Sequence, residues 1–104
     1  MRKNLKKQKN NRKKNKSRER LPASLINKLP DESGVYFLFQ NNILVYIGKA
    51  KNLRTRVSEH IQTKTFDEVE YEVTHWSRSR ELEENLLEDY FYQHNQYPHY
   101  NVQG

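Results

Sequence analysis

The chain of 104 residues has no cysteine, only three glycines and three prolines, and no apolar run long enough to span a membrane. The absence of cysteine excludes disulfide bonds and cysteine-ligated zinc sites. The first twenty residues contain no apolar core, which argues against a secretory signal peptide. Hydrophobic residues make up 34% of the chain and charged residues 31%. This is polar for one small domain, so we expect part of the chain to lie outside a packed core.

Charge is distributed unevenly along the sequence. Residues 1–20 hold eleven Lys or Arg and one acid, which gives a net charge of +10. Residues 21–104 hold eight basic and twelve acidic residues, which gives a net charge of −4. The first segment has too few apolar residues to offset the entropy lost on ordering. We therefore predict a disordered basic tail over residues 1–20 and one folded domain over residues 21–104.

The basic tail is expected to bind nucleic acid, because each contact with a phosphate releases condensed counterions. A solvated tail that only aids solubility and a targeting signal are alternative interpretations. Two basic residues of the domain, Lys51 and Arg54, are added to the candidate contacts. In the tail, the candidates are Lys6, Lys7, Lys9, Arg12, Lys13, Lys14 and Lys16.

The hydrophobic pattern predicts a mixed α+β domain. Two β-rich runs flank Asn41 and Asn42, which tolerate positive φ, and this indicates a hairpin. Alternating apolar and acidic residues later in the chain predict a third strand with one solvated face. The expected architecture is a small three-stranded antiparallel sheet flanked by helices, in the order α-β-β-α-β-α. The predicted elements are a short helix between Ser24 and Pro30, strands 34–39 and 43–48, helix 52–62, strand 67–75 and helix 79–94.

The first long helix carries two parallel stripes of side chains. Leu53, Val57 and Ile61 recur at intervals of four residues and are expected to pack on the sheet. Arg56 and His60 form the second stripe, one step around the helix. One face of the helix is therefore expected to pack, while the neighbouring face offers a cation and an imidazole.

The last helix carries a broader apolar face. The residues expected to pack on the sheet are Leu82, Leu86, Leu87, Tyr90 and Phe91.

Three motifs in order resemble the GIY-YIG nuclease superfamily. Residues 34–36 read GVY, and residues 46–48 read YIG, with their tyrosines ten residues apart. The following stretch, GKAKNLRTRV, is similar to the N-terminal nuclease domain of the UvrC-type excision-repair endonuclease. Residues 83–101 resemble the closing acidic helix and the P-x-Y-N motif of that family. The resemblance covers roughly residues 30–103.

The resemblance implies a set of site residues. Tyr36 and Tyr46 occupy the two tyrosine positions, and Arg56 occupies the position of the catalytic arginine. Glu88 falls at the single metal-binding carboxylate, although the segment from it to the terminal asparagine is one residue longer than in typical repair enzymes. Further catalytic positions are Lys49 and His60, and supporting positions are Gly48 and Asn101.

Phosphodiester hydrolysis explains why these residue types are needed. A tyrosine can act as general base only when its pKa falls from about 10, and cations such as Lys49 and Arg56 would lower it. Arg56 can also bind a non-bridging phosphate oxygen through its fork of donors. His60 could position the water or orient a tyrosine. The implied cofactor is one divalent ion, Mg²⁺ or Mn²⁺, held by Glu88.

Taken singly, each of these residues has a plainer interpretation. Arg56 could form a surface ion pair of little energetic value, and His60 could cap a helix. Glu88 is one of five acids within nine residues, and a helical wheel places Glu83 nearer the apolar face. The resemblance, not the periodicity, selects Glu88, and Glu84 is the next candidate. Together the six residue types in family order favour the nuclease interpretation.

The sequence therefore predicts a metal-dependent DNA endonuclease, in DNA repair or as a structure-specific or mobile-element nuclease. The alternatives are a non-catalytic DNA- or RNA-binding module of the same fold, and a ribosome-associated basic protein that binds structured RNA. The expected partner is DNA, with branched or damaged DNA as options, and not a membrane. The expected location is the cytoplasm, in association with the nucleoid. The chain ends three residues after Asn101, so no appended recognition domain and no strong sequence specificity are expected.

Overall fold

The computed structural model describes residues 18–102 of the chain. The predicted tail up to Ser17, with its seven candidate DNA contacts, lies outside the described residues. Two helices, four strands and two short 3-10 helices make up the described part. In chain order they are β1 (Arg20–Pro22), a 3-10 helix (Ala23–Lys28), β2 (Gly34–Gln40), β3 (Ile43–Ala50), α1 (Leu53–His60), β4 (Glu68–Val73), α2 (Trp76–His94) and a second 3-10 helix (His99–Asn101).

The sheet has four antiparallel strands in the order β1-β4-β2-β3. The mixed α+β class is confirmed, but the predicted three strands and the order α-β-β-α-β-α are wrong. The additional strand is β1, in which Arg20 pairs with Glu70 and Leu21 with Val69. Its three residues include a proline and follow a run of basic residues, so no local pattern marks it as a strand. Arg20, which the sequence assigns to the tail, is the first residue of this strand.

The hairpin of β2 and β3 is confirmed. Its two-residue turn places Asn41 at φ 53° and Asn42 at φ 66°, the left-handed pair that a type I′ turn requires. The register slips by one residue between the pairs Leu38–Tyr46 and Phe39–Leu44, so β3 contains a bulge just before Tyr46.

Each face of the sheet has its own hydrophobic core. On one face, Leu53 and Val57 of α1 pack with Tyr36 and Leu38 of β2. The expected third member of that helical stripe, Ile61, follows the end of α1 and is exposed. On the other face, the core residues Val35, Phe37 and Ile47 pack against α2 through Leu82, Leu86, Leu87 and Tyr90.

Helix α2 is longer than predicted, because it begins at Trp76 and not at residue 79. It ends at Asn95, whose left-handed conformation lets its N–H bond to the carbonyl of Phe91. Phe91 was expected to pack on the sheet, but it is exposed and contacts the ring of Tyr97. No helix within residues 18–102 combines the length and apolarity needed to cross a bilayer.

Two arginines at the start of the described residues lie over aromatic rings of β2, the strand next to β4. The guanidinium of Arg18 lies 4.2 Å from the ring centroid of Phe37, and that of Arg20 lies 3.9 Å from the ring centroid of Phe39. Arg20 also donates to the carboxylate of Glu70 at 2.8 Å. These residues therefore bind the domain itself, and a deletion that isolates the tail should stop at Ser17.

We predict that deletion of residues 1–17 leaves the fold intact and weakens DNA binding. The deletion removes nine basic residues and no acid, which changes the formal net charge from +6 to −3. If the tail contacts about six phosphates, the affinity of the full chain should fall roughly a thousandfold between 50 and 200 mM salt. Affinity measured against salt concentration for both proteins tests this. Equal salt slopes would show that the tail does not bind DNA, and deletion of residues 1–20 should additionally lower the melting temperature.

Candidate active site

The edge strand β3 carries predicted site residues on both faces of the sheet. Tyr46 faces α1, where its ring lies 5.1 Å from that of His60. Lys49 faces α2, where its ammonium lies 3.5 Å from the carboxylate of Glu83. Because no strand of residues 18–102 lies beyond β3, side chains from both helices can approach its open side.

Tyr36 is buried in the core, and its hydroxyl lies 2.6 Å from Nε2 of His60. This hydrogen bond joins β2 to the last residue of α1. Gly48 explains how the hydroxyl fits there. A Cβ added to Gly48 would lie 2.5 Å from the Tyr36 hydroxyl and 2.7 Å from the ring of Tyr46, so the supporting position of the motif requires a residue without a side chain.

Burial governs the protonation of this pair. It raises the pKa of Tyr36 far above its ordinary value; the neighbouring Tyr46 adds to the increase and Arg56 opposes it. Arg56 lowers the pKa of Tyr36 as expected, but the effect of burial is larger. Burial also lowers the pKa of His60 to about 4, and the charges of Lys64 and Arg56 lower it further. At neutral pH a protonated phenol thus meets a neutral imidazole, which can accept its proton in a hydrogen bond.

Tyr46 is only partly buried, unlike Tyr36. Its ring lies 6.0 Å from the ring of Tyr36, and the ammonium of Lys64 lies 4.9 Å from its centroid. Lys64 also lies 5.6 Å from the ring of Tyr100. No sequence signal selects Lys64, because it belongs to the loop after α1 and to none of the recognised motifs.

The two expected neighbours of the tyrosines, Arg56 and Lys49, lie in different places. Arg56 is exposed on α1, close enough to Tyr36 and Tyr46 for their charges to raise its own pKa, although its pairing with Glu59 is the largest cause. Its guanidinium contacts the Glu59 carboxylate at 3.0 Å. Lys49 is not among the groups that shift the pKa of Tyr36. Lys49 instead pairs with Glu83, and its expected action on a motif tyrosine stays a prediction.

The two candidate DNA contacts of the domain also differ. Arg54 donates to the carbonyl of Leu29 at 3.0 Å and pairs with Asp31 at 3.3 Å, so it anchors the preceding loop. Lys51 instead extends beside the ring of Trp76, with its ammonium 5.4 Å from the centroid.

Three adjoining grooves run along the open side of β3. The first, about 340 Å³, is lined by Lys49, Lys51, Asn52, Arg56, Glu59 and Trp76 among others. The second, about 510 Å³, shares Lys49 and Trp76 with the first and adds Ser77, Arg80, Glu83 and Glu84. The third, about 460 Å³, shares Glu84 with the second and adds Leu87, Glu88, Tyr97 and Asn101. Because neighbouring grooves share residues, one continuous surface links Arg56 to Glu88.

The charge changes sign along this surface. The first groove has three cations and one carboxylate, the second has two of each, and the third has two carboxylates and no cation. An anionic strand is favoured at the Arg56 end, and a metal cation is favoured at the Glu88 end.

Glu88 lines the third groove together with Glu84. Glu83 pairs with Lys49 and Glu84 with Arg80, whereas Glu88 forms no ion pair within residues 18–102. Among the same residues, no group of three or more acidic or histidine side chains is placed to hold a metal. A single carboxylate on an open groove suits Mg²⁺, a hard ion that takes oxygen ligands and keeps several waters. The residues present therefore fit the implied ion.

Asn101 holds the third groove against the sheet. Its carboxamide accepts from the N–H of Ile47 at 2.9 Å and donates to the carbonyl of Ile47 at 3.0 Å. The side chain thus satisfies the free edge of β3 as a neighbouring strand would. The expected role of Asn101 as a supporting residue stays a prediction, and these two hydrogen bonds agree with it.

Comparison with known proteins identifies a family. The family model of the UvrC-like GIY-YIG domain matches residues 32–102. Similar full-length relatives are UvrABC system protein C of Fusobacterium nucleatum, 33% identical, and that of Deinococcus radiodurans, 39% identical. Each alignment covers 71% of this chain but only 14% and 12% of the relative, respectively.

Crystal structures of a single domain match over most of their length. The GIY-YIG N-terminal endonuclease domain of UvrC from Thermotoga maritima, bound to magnesium as its catalytic divalent cation, is 31% identical with a TM-score of 0.61. The match covers 76% of this chain and 93% of that domain. A point mutant of the same domain, also bound to its catalytic divalent cation, gives a TM-score of 0.62 at 30% identity.

We predict that His60 makes stability depend on pH. Its pKa of about 4 in the folded state lies below the ordinary 6.5, so the folded state binds fewer protons than the unfolded state between these values. The free energy of unfolding should therefore fall as pH falls from 6.5 to 4, by at most about 1.4 kcal/mol per unit from this group. His60→Gln keeps a hydrogen-bond acceptor but does not titrate. Urea unfolding at several pH values should show a shallower slope for the variant, and an unchanged slope would contradict the prediction.

Proposed function

The chain belongs to the family of UvrC-like GIY-YIG domains, and we propose that it is a metal-dependent endonuclease that hydrolyses DNA phosphodiester bonds. One observation carries the proposal. A single surface along β3 joins the first groove, which is basic and contains Arg56, to the third groove, which is acidic and contains Glu88. Phosphodiester hydrolysis needs a bound phosphate beside a bound cation, and this one surface offers a place for each.

Glu88 would hold one divalent ion, Mg²⁺ or Mn²⁺. When bound, such an ion stabilises the negative charge that develops on the departing oxygen. The carboxylate of Glu83 is only 18% exposed and lies 3.5 Å from the ammonium of Lys49, so this ion pair keeps Glu83 from competing for the ion. Lys49 thereby acts on the acidic helix and supports the site indirectly.

Tyr46 is the better candidate for general base. Tyr36 is fully buried, has a raised pKa and already bonds to His60, so its proton is not available to the solvent. Tyr46 lies partly exposed on the edge strand, with Lys64 over its ring and Arg56 nearby. In this position Tyr46 would take the proton from the attacking water. Tyr36 and His60 would then fix the position of the Tyr46 ring.

Arg56 would stabilise the charge on the phosphate during attack. Its guanidinium is exposed, lines the basic groove and can present two donors to two oxygens. Its pairing with Glu59 holds the side chain in place and costs little to exchange for a phosphate, because both partners are exposed.

The biological setting follows the family. The relatives are components of a UvrABC system, and we place this chain in DNA repair with DNA as its partner, in the cytoplasm and in association with the nucleoid. Branched or damaged DNA would be the preferred form of the substrate.

We predict that Glu88→Ala abolishes metal-dependent cleavage and leaves DNA binding nearly intact. Loss of one carboxylate near the phosphate should tighten binding slightly, if at all, because it removes a repulsion. Asp89→Ala is the matched control, since it removes the same charge from the next residue, outside the lining of the Glu88 groove. Cleavage of labelled duplex, nicked, branched and single-stranded DNA in Mg²⁺ and Mn²⁺ tests this. Cleavage by Glu88→Ala at the wild-type rate would refute the metal site, and an inactive wild type would favour a non-catalytic binding module.

We predict different losses for the two tyrosines. Tyr46→Phe should lower kcat by about 10²–10⁴, as expected for a general base, without lowering the melting temperature. Tyr36→Phe leaves His60 without its partner and should cost about 1–3 kcal/mol of stability, with a smaller loss of kcat. Single-turnover cleavage and thermal unfolding of both variants measure the difference. A larger kcat loss in Tyr36→Phe would reverse the assignment.

A further inference from the structure

Trp76 is the only tryptophan in the sequence, and it lies at the junction of two grooves. Together with Lys49, it lines both the first groove, which is basic, and the second groove. Although it begins α2, 39% of its surface is exposed. It belongs to neither hydrophobic core of the described residues, so packing of the domain does not account for it.

One cation lies over this exposed ring, and two more line the same groove. The ammonium of Lys51 lies 5.4 Å from the Trp76 centroid, and Lys49 and Arg56 line the same groove. An aromatic face among cations is the arrangement by which proteins hold single-stranded nucleic acid, since bases stack on the ring while phosphates contact the charges. Neither the tyrosine motifs nor the acidic helix of the proposed active site uses Trp76.

We propose that Trp76 stacks on an unpaired base of the substrate strand while Lys51 and Arg56 hold the adjoining phosphates. The inference rests on the proposed function, because the strand in question is the DNA to be cut. It narrows the substrate to DNA with at least one unstacked nucleotide beside the scissile phosphate. A base within a continuous duplex has both faces covered by its neighbours, so it offers the indole no surface.

The ordering of the grooves places this base relative to the cut. The first groove, with Trp76, shares Lys49 with the second groove, and the second groove shares Glu84 with the third groove, which contains Glu88. A strand that enters over Trp76 therefore brings its next phosphates toward the acidic end. Stacking of an unpaired base on Trp76 would therefore also position the scissile phosphate.

The fluorescence of the single tryptophan reports on this contact directly. The full chain with Glu88→Ala is titrated with a 12-nucleotide single-stranded DNA and, separately, with a blunt duplex hairpin, in moderate salt. We expect the single strand to quench the indole emission strongly, and the closed duplex to quench it little. Binding is followed in parallel by the anisotropy of labelled DNA. Unchanged emission despite binding, or equal quenching by both DNAs, would overturn the proposal, as would an absence of binding.

Two variants test the role of stacking in selectivity. Trp76→Leu should weaken binding to a duplex with one bulged nucleotide roughly tenfold and leave binding to the fully paired duplex unchanged. Tyr92→Leu is the control, because Tyr92 is 90% exposed on the same helix and lines none of the three grooves. Thermal unfolding checks that both variants fold. Equal effects of the two substitutions, or equal losses on both duplexes, would refute the proposal.

Cleavage kinetics separate this inference from the proposed function. In Trp76→Leu, KM for the bulged duplex should rise about tenfold while kcat at saturating DNA stays near that of the wild type. Active wild type with no such change in KM would leave the nuclease assignment standing and remove the role of Trp76. Inactive wild type would refute the nuclease assignment, and the fluorescence and anisotropy experiments would still decide whether Trp76 stacks on a base.

Discussion

The hydrogen bond between the Tyr36 hydroxyl and Nε2 of His60 is the contact on which the candidate site depends. It joins the central part of the sheet to the end of α1 at 2.6 Å, inside the core. Gly48 leaves the space that the hydroxyl occupies. With both partners buried and uncharged, their geometry is fixed by packing and not by solvent. The ring of Tyr46 lies against the rings of Tyr36 and His60, so their fixed positions also hold the ring of Tyr46 in place.

The open edge of β3 determines how the two halves of the site meet. The basic side chain of Arg56 comes from α1 on one face of the sheet, while Glu88 comes from α2 on the other. They can serve one surface only because β3 is the edge strand of the sheet that the described residues form. The carboxamide of Asn101 satisfies the backbone of Ile47 and so protects the edge without covering it.

Ion pairing distinguishes the acidic residues that line the grooves. Glu83 and Glu84 pair with cations, whereas Glu88 forms no ion pair within residues 18–102 and lines the third groove. Lys49 pairs with Glu83, whereas Lys64 lies over the ring of Tyr46. Lys64 belongs to none of the recognised motifs, so only the structure reveals this contact.

The sequence by itself determined the family, the hairpin and the two principal helices, because these depend on local signals. The asparagine turn requires left-handed φ values, and the apolar periodicity of each helix specifies its buried face. Tertiary structure alone decided that β1 adds a fourth strand, since three residues with a proline form a strand only against β4. It also decided that burial, not a neighbouring cation, governs the pKa of Tyr36. The contact between Trp76 and Lys51 could not be predicted from the sequence either, because packing sets the distance between two side chains that are remote in sequence.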